Sequence, residues 1–181
     1  SYLLEYGSEE SLEFIRKNSD HIAAVLTEPV QSRNPGLQPR AYLHELRKIT
    51  EEKNIALVFD EVITGFRIGL GGSQEYFGVK ADIVTYGKVI GGGLPLGLVA
   101  GKARFLDATD GGFWQYGDDS VPVVKATFVA GTFCHHPLAM ASSLKVLEIL
   151  RNSKGQILHD LNQTTAALCD RFQKFFDQNK Y

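Results

Sequence analysis

Cysteine is nearly absent from this 181-residue chain: there are two, Cys134 and Cys169, lying 35 residues apart. That spacing excludes a disulfide framework and a CxxC metal site, and predicts a reducing, cytoplasmic setting. A basic surplus is missing too, with 19 basic against 21 acidic residues and no block of like charges. A protein that tracks phosphates along a nucleic acid needs such a surplus, so that class drops out. No apolar run approaches the roughly 18 residues of a membrane span, and no basic-then-apolar leader opens the chain. The one methionine is Met140; the chain starts at Ser1 and closes at Tyr181 inside a helical pattern. This predicts that residues 1–181 are a segment of a longer protein. Internal repeats and linkers are lacking as well. What remains is ordinary globular composition, 44% hydrophobic and 22% charged, which excludes disordered and collagen-like chains.

Periodicity supplies the coarse order of elements. Ser8, Glu9 and Glu10 suit the start of a short helix over 8–18, with Leu12 and Ile15 on one face. Ile22–Leu26 reads as a buried strand ended by Pro29. The stretch 32–39, with Asn34, Pro35, Gly36 and Pro39, predicts an irregular loop. Leu43, Leu46 and Ile49 recur at helical spacing between Arg40 and Lys53. Ile55–Phe59 is almost wholly apolar, as in a strand covered on both faces. Ile83–Tyr86 and Leu96–Ala100 predict two further strands. A helix over 137–151 and a last one from about Gln156 complete an α/β arrangement with helices on the faces of a sheet.

Two places carry chemistry. The run Phe59-Asp60-Glu61-Val62 puts two acidic residues at the end of an apolar strand, where ligands bind in open α/β sheets. Asp60 there is a ligand group or simply a cap. The run Tyr86-Gly87-Lys88 leads into Gly91-Gly92-Gly93. A lysine between a strand and glycines is a surface residue beside a turn, or a partly desolvated amine with its pKa lowered, able to condense with a carbonyl. A phosphate loop is excluded, because GxxxxGK[ST] would need glycine at Asp82 and Ser or Thr at Val89. No GxGxxG follows a strand. His135 and His136 are adjacent and cannot face one metal from a helix, so no metal site is expected.

The combination is more telling than its parts. Asp60 and Lys88 lie 28 residues apart, with Glu28-Pro29-Val30-Gln31 upstream and Gly131-Thr132-Phe133 downstream. Over about residues 20–150 the chain resembles the class III aminotransferases, which are fold-type I pyridoxal 5′-phosphate enzymes. Residues 59–67, 71–78 and 87–97 are similar to the glutamate-1-semialdehyde aminomutase branch. Gln31-Ser32-Arg33-Asn34-Pro35-Gly36 and a long aromatic and acidic loop between Asp107 and Thr127 resemble instead the aminotransferase domains of hybrid polyketide–nonribosomal peptide synthetases, of the toxin-making microcystin and nodularin kind.

The resemblance implies part of a fold-type I large domain, α/β with a mostly parallel sheet and helices on both faces. It implies that the upstream phosphate-binding segment and the C-terminal small domain lie outside residues 1–181. Lys88 would hold pyridoxal phosphate covalently and shuttle the substrate proton. Asp60 would pair with the ring nitrogen, and Val62, on the same face of an extended chain, would pack on the ring. Gln31 would approach the ring hydroxyl, and Glu28 would brace that loop. Gly131 and Thr132 would meet the phosphate in the neighbouring subunit's site, which implies a homodimer. Thr132 also suits a cap for the helix that follows it. Arg67 would meet a substrate carboxylate or form a surface ion pair, and Trp114 and Tyr116 would cover the entrance or merely pack. The implied reaction moves an amino group from an amino-acid donor to a carbonyl acceptor, a β-keto acyl group tethered to a carrier protein. An aminomutase-type shift and a non-catalytic megasynthase module are the alternatives. No nucleic-acid or membrane partner is implied.

Overall fold

The computed structural model describes residues 1–109, 111–112, 114–115, 117–125, 127 and 129–179. Helix α1 (Glu9–Lys17) starts where expected, because the Ser11 N–H donates to the Ser8 hydroxyl and Glu9 and Glu10 occupy the first turn. Strand β1 (Ala24–Thr27), helix α2 (Arg40–Glu52) and strand β2 (Ala56–Asp60) follow. Next come α3 (Gly72–Phe77), β3 (Ile83–Tyr86), β4 (Leu98–Gly101) and α4 (Ala103–Leu106). The long helices α5 (Pro137–Asn152) and α6 (Gln156–Asn179) close the order. Neither α3 nor α4 is expected from sequence. Helix α3 is too short to show a period, and Arg40 caps its end from another element, donating to the Tyr76 and Phe77 carbonyls.

The four strands form one sheet in the order β1-β2-β3-β4. The first three are parallel, and β4 returns antiparallel to β3. Side chains alternate across a strand, so Leu57, Phe59 and Val84 share one face. They join Leu12 and Ile15 of α1 and Leu43, Leu46 and Ile49 of α2 in the main core. The opposite face carries Leu26, Val58, Asp60, Thr85 and Val99. On it Leu26 is 68% exposed and Val99 58%. Helix α6 buries Leu158 but leaves Leu161, Leu168, Phe172 and Phe175 exposed. No helix among the described residues is long and apolar enough to cross a membrane.

One buried carboxylate ties helix α2 to the sheet. Asp82 is wholly buried and accepts from Arg47 Nη1 at 2.8 Å and the Leu57 N–H at 2.9 Å, with Lys102 Nζ at 2.7 Å. Burial pushes its pKa up, but the bonds from Lys102, Leu57 and Arg47 outweigh this and hold it at about 2. An unfolded Asp titrates near 4, so this contribution is present above about pH 4 and is lost as pH falls towards 2. Asp82→Asn should therefore cost about 2–3 kcal/mol at pH 7 in urea unfolding, with the difference from wild type shrinking towards pH 2. An Asn variant equally destabilised at pH 2.5 and pH 7 would contradict this account.

Candidate functional site

The strands β1, β2 and β3 run parallel, so their carboxyl ends share one edge of the sheet. Glu28 follows the end of β1, Asp60 ends β2, and Lys88 stands two residues beyond the end of β3. Topology thus brings together residues 28, 60 and 88 at the place where open α/β sheets bind ligands.

Asp60 lies directly opposite Thr85 in the ladder. Its Oδ1 accepts from the Thr85 hydroxyl at 3.1 Å and from the Val62 N–H at 3.0 Å. Both donors use the same oxygen. Oδ2 has no hydrogen-bond partner among the described residues. The Val62 bond also turns the backbone, so Val62 does not continue an extended strand as the sequence suggests. It still reaches the site: its Cγ1 lies 3.3 Å from where a Cβ on Gly87 would stand. A side chain at position 87 would press on the Leu96 carbonyl, 3.2 Å from the Cβ position, as well as on Val62, so the site favours glycine before Lys88.

Lys88 opens a short 3-10 turn (Lys88–Gly91) with φ of +47°, in the left-handed region that few non-glycine residues occupy. Such conformations cost about 1–3 kcal/mol and cluster at functional sites. Of the two readings of this lysine, the structure shows the surface one: the side chain is exposed and its amine forms no ion pair among the described residues. The turn beyond it is buttressed by α5, whose Ser142 hydroxyl donates to the Gly91 carbonyl at 3.0 Å.

Around this pair the loops differ in how firmly they are held. Glu28 Oε2 accepts from the Ser32 N–H at 3.1 Å, and the Tyr6 hydroxyl donates to the Pro29 carbonyl at 2.7 Å. These bonds fix the turn that carries Gln31, whose side chain makes no hydrogen bond among the described residues. Gly131 and Thr132 lie exposed in the turn before α5, and no described bond joins them to the strand-end cluster. Thr132 does not cap α5. His136 does, its Nδ1 accepting from the Ala139 N–H at 3.4 Å, with Pro137 in the first turn. Arg67 is exposed and forms no ion pair among the described residues; its carbonyl accepts from Asn162. Trp114 is half-buried, whereas Phe113 and Tyr116 lie outside the described residues.

Sequence reasoning treats Asp60 and Glu61 as one acidic pair, but the strand end separates them. Asp60 faces Thr85, while Glu61 is wholly buried beneath the start of α3. It also passes over Thr85 and Tyr86, whose roles depend on a ladder register that no local pattern reveals. Burial, and then the charge of Glu61, push the Tyr86 phenol above its ordinary pKa, so it stays protonated at neutral pH.

The family model described as "Aminotransferase class-III" matches residues 5–181. A glutamate-1-semialdehyde 2,1-aminomutase of Ruminiclostridium cellulolyticum is 43% identical over 180 residues, covering 97% of this chain and 38% of that protein. The enzyme of the same name from Methanobrevibacter smithii is 37% identical over 185 residues, covering 100% of this chain and 40% of that protein. The chain thus spans about two fifths of the length of these curated relatives. Among solved structures, an omega-transaminase from Sphaerobacter thermophilus superposes with a TM-score of 0.68 at 34% identity, over 81% of this chain and 32% of that one. A transaminase with PLP bound superposes at 0.66 with 32% identity, over 81% and 33%.

Proposed function

The chain belongs to the class-III aminotransferase family, and from that premise we propose that it supplies the lysine-bearing edge of a pyridoxal 5′-phosphate site in a large cofactor-binding domain. The reaction we assign is transfer of an amino group from an amino-acid donor to a carbonyl acceptor. One observation carries this reading: a lysine held in a left-handed turn at the same sheet edge as an aspartate whose Oδ1 takes two hydrogen bonds and whose Oδ2 takes none among the described residues. That donor set fits the cofactor, which needs an amine to hold its carbonyl carbon and an acceptor for its ring N–H.

When bound, pyridoxal phosphate supplies an electron sink for the electrons of a breaking Cα–H bond. Lys88 would hold the group through its amine, and the same amine would carry the proton from and to the substrate carbon. Asp60 Oδ2 would accept from the ring nitrogen and favour its protonated form, a charge-assisted bond worth more than a neutral one. Val62 packs beside the ring. Glu28 braces the turn that presents the Gln31 amide to the ring hydroxyl. Gly131 and Thr132 would bind the phosphate of the neighbouring protomer's site in a homodimer.

The acceptor we assign is a β-keto acyl thioester carried by a polyketide or peptide synthetase, in a cytoplasmic setting. Residues 31–36 and the long loop between Asp107 and Thr127 support it. A second reading, the intramolecular amino shift of an aminomutase, is favoured by the identity of 37–43% to relatives of that name. Labelled nitrogen separates the two. The full-length protein with cofactor, 15N-glutamate and a β-keto acyl thioester should place 15N in the β-amino acyl product. Glutamate-1-semialdehyde converted to 5-aminolevulinate, with no labelled nitrogen entering and no β-amino product formed, would overturn transamination in favour of the shift.

A further inference from the structure

Glu61 is a buried acid with no ion pair among the described residues. Its Oε2 accepts from the Ser73 N–H at 2.6 Å and the Thr64 hydroxyl at 3.2 Å, and Oε1 accepts from the Gln74 N–H at 3.4 Å. Three hydrogen bonds offset the cost of burying the carboxylate, and two of them satisfy the first free N–H groups of α3. The fit is close. Gly72 stands at φ +59°, and a Cβ there would run into Glu61 Oε2. Only glycine combines that backbone conformation with that approach.

The segment pinned in this way closes on Tyr86. Gly65, whose N–H donates to the Glu61 carbonyl, sits so close that a Cβ on it would lie 2.6 Å from the Tyr86 ring. The Phe66 ring packs on Tyr86 with centroids 5.3 Å apart. Gln74 holds the Tyr86 hydroxyl through Nε2 at 3.4 Å, while its Oε1 accepts from the Ala81 N–H. The backbone N–H of Glu61 itself donates to the Thr85 carbonyl at 2.9 Å. Tyr86 is therefore gripped on its ring and at its hydroxyl by residues 65–74, two positions before Lys88.

We propose that Glu61 is a positioning residue for Lys88: its buried carboxylate sets residues 64–74 against Tyr86, and Tyr86 in turn sets the turn that aims the lysine amine. This rests on the reading of Lys88 as the lysine that holds the cofactor. A carboxylate is required because a backbone N–H, which can only donate, faces each of its oxygens; a glutamine would turn its N–H₂ towards one of them.

The test uses full-length apo protein mixed with pyridoxal phosphate, following the visible band and the borohydride-fixed adduct on the Lys88 peptide by mass spectrometry. Glu61→Gln should slow attachment about ten- to a hundredfold, the scale of a displaced reacting group. It should also move the pH midpoint of the visible band, which a merely structural role would leave in place. Tyr86→Phe keeps the ring and loses the Gln74 bond; it should shift the same two readouts in the same direction by less, and it carries the test if the Gln variant does not fold. Attachment rates within twofold of wild type and an unmoved midpoint, in Glu61→Gln or failing that in Tyr86→Phe, overturn the proposal. Wild-type protein that never attaches cofactor at Lys88 overturns the functional reading itself, and this inference with it.

Discussion

Lys88→Ala in the full-length protein is expected to abolish the borohydride-reducible visible chromophore and to lower turnover by at least about 10²–10⁴-fold, the contribution of a positioned proton carrier. The geometry makes the lysine hard to replace. Its backbone is committed to the left-handed region at φ +47°, its amine is exposed without a competing acid among the described residues, and Gly87 behind it admits Val62. A neighbouring lysine cannot substitute. Lys80 precedes β3 at the other end of the strand, and Lys102 Nζ is engaged by Asp82 at 2.7 Å. Absorbance spectra with peptide mapping after borohydride check this directly. An unchanged chromophore in the alanine protein would remove Lys88 from the role.

Asp60→Asn is expected to leave attachment at Lys88 intact while turnover falls about 10²–10³-fold, on the scale of a lost preorganised electrostatic contact. The size and direction follow from the two bonds at Oδ1. The Val62 N–H can only donate, so the oxygen of the new amide must remain on that side. The amide N–H₂ is thereby turned to the position of Oδ2, where it faces a ring N–H as a second donor. The ring nitrogen would then no longer be favoured in its protonated form, which would weaken the electron sink that the cofactor supplies. Thr85→Val removes the other Oδ1 bond without touching the carboxylate, and should have a smaller effect, mainly through looser orientation of Asp60. Turnover by the Asn protein close to wild type would refute the pairing of Asp60 with the ring.

How much of this was legible before folding varies with the range of the signal. The helices α1, α2, α5 and α6 follow from their apolar periods; the first three lie within a residue or two of their expected bounds, and α6 begins at Gln156 as expected. Helix α3 does not follow, because its start is held by Glu61 from eleven positions before Gly72 rather than by a local cap. Asp60 and Lys88 stand out because acids and lysines are costly at strand ends and need a reason. Thr85 and Tyr86 carry no such flag, since both are ordinary strand residues. The return of β4 antiparallel to β3 is likewise absent from any local pattern.

By itself, the sequence determined the succession of the strands and longer helices, the two titratable residues that stand at the ends of apolar strands, and the likeness to class-III aminotransferases. These depend on residue type, on periods of two and 3.6, and on short motifs, all of which are local properties. Only the tertiary structure decided which oxygen of Asp60 is open, which way Glu61 turns from its neighbour, and what grips Tyr86 behind Lys88. Those outcomes depend on strand register and on contacts across 12 to 25 residues of chain. Long-range pairing of this kind is settled by packing and burial.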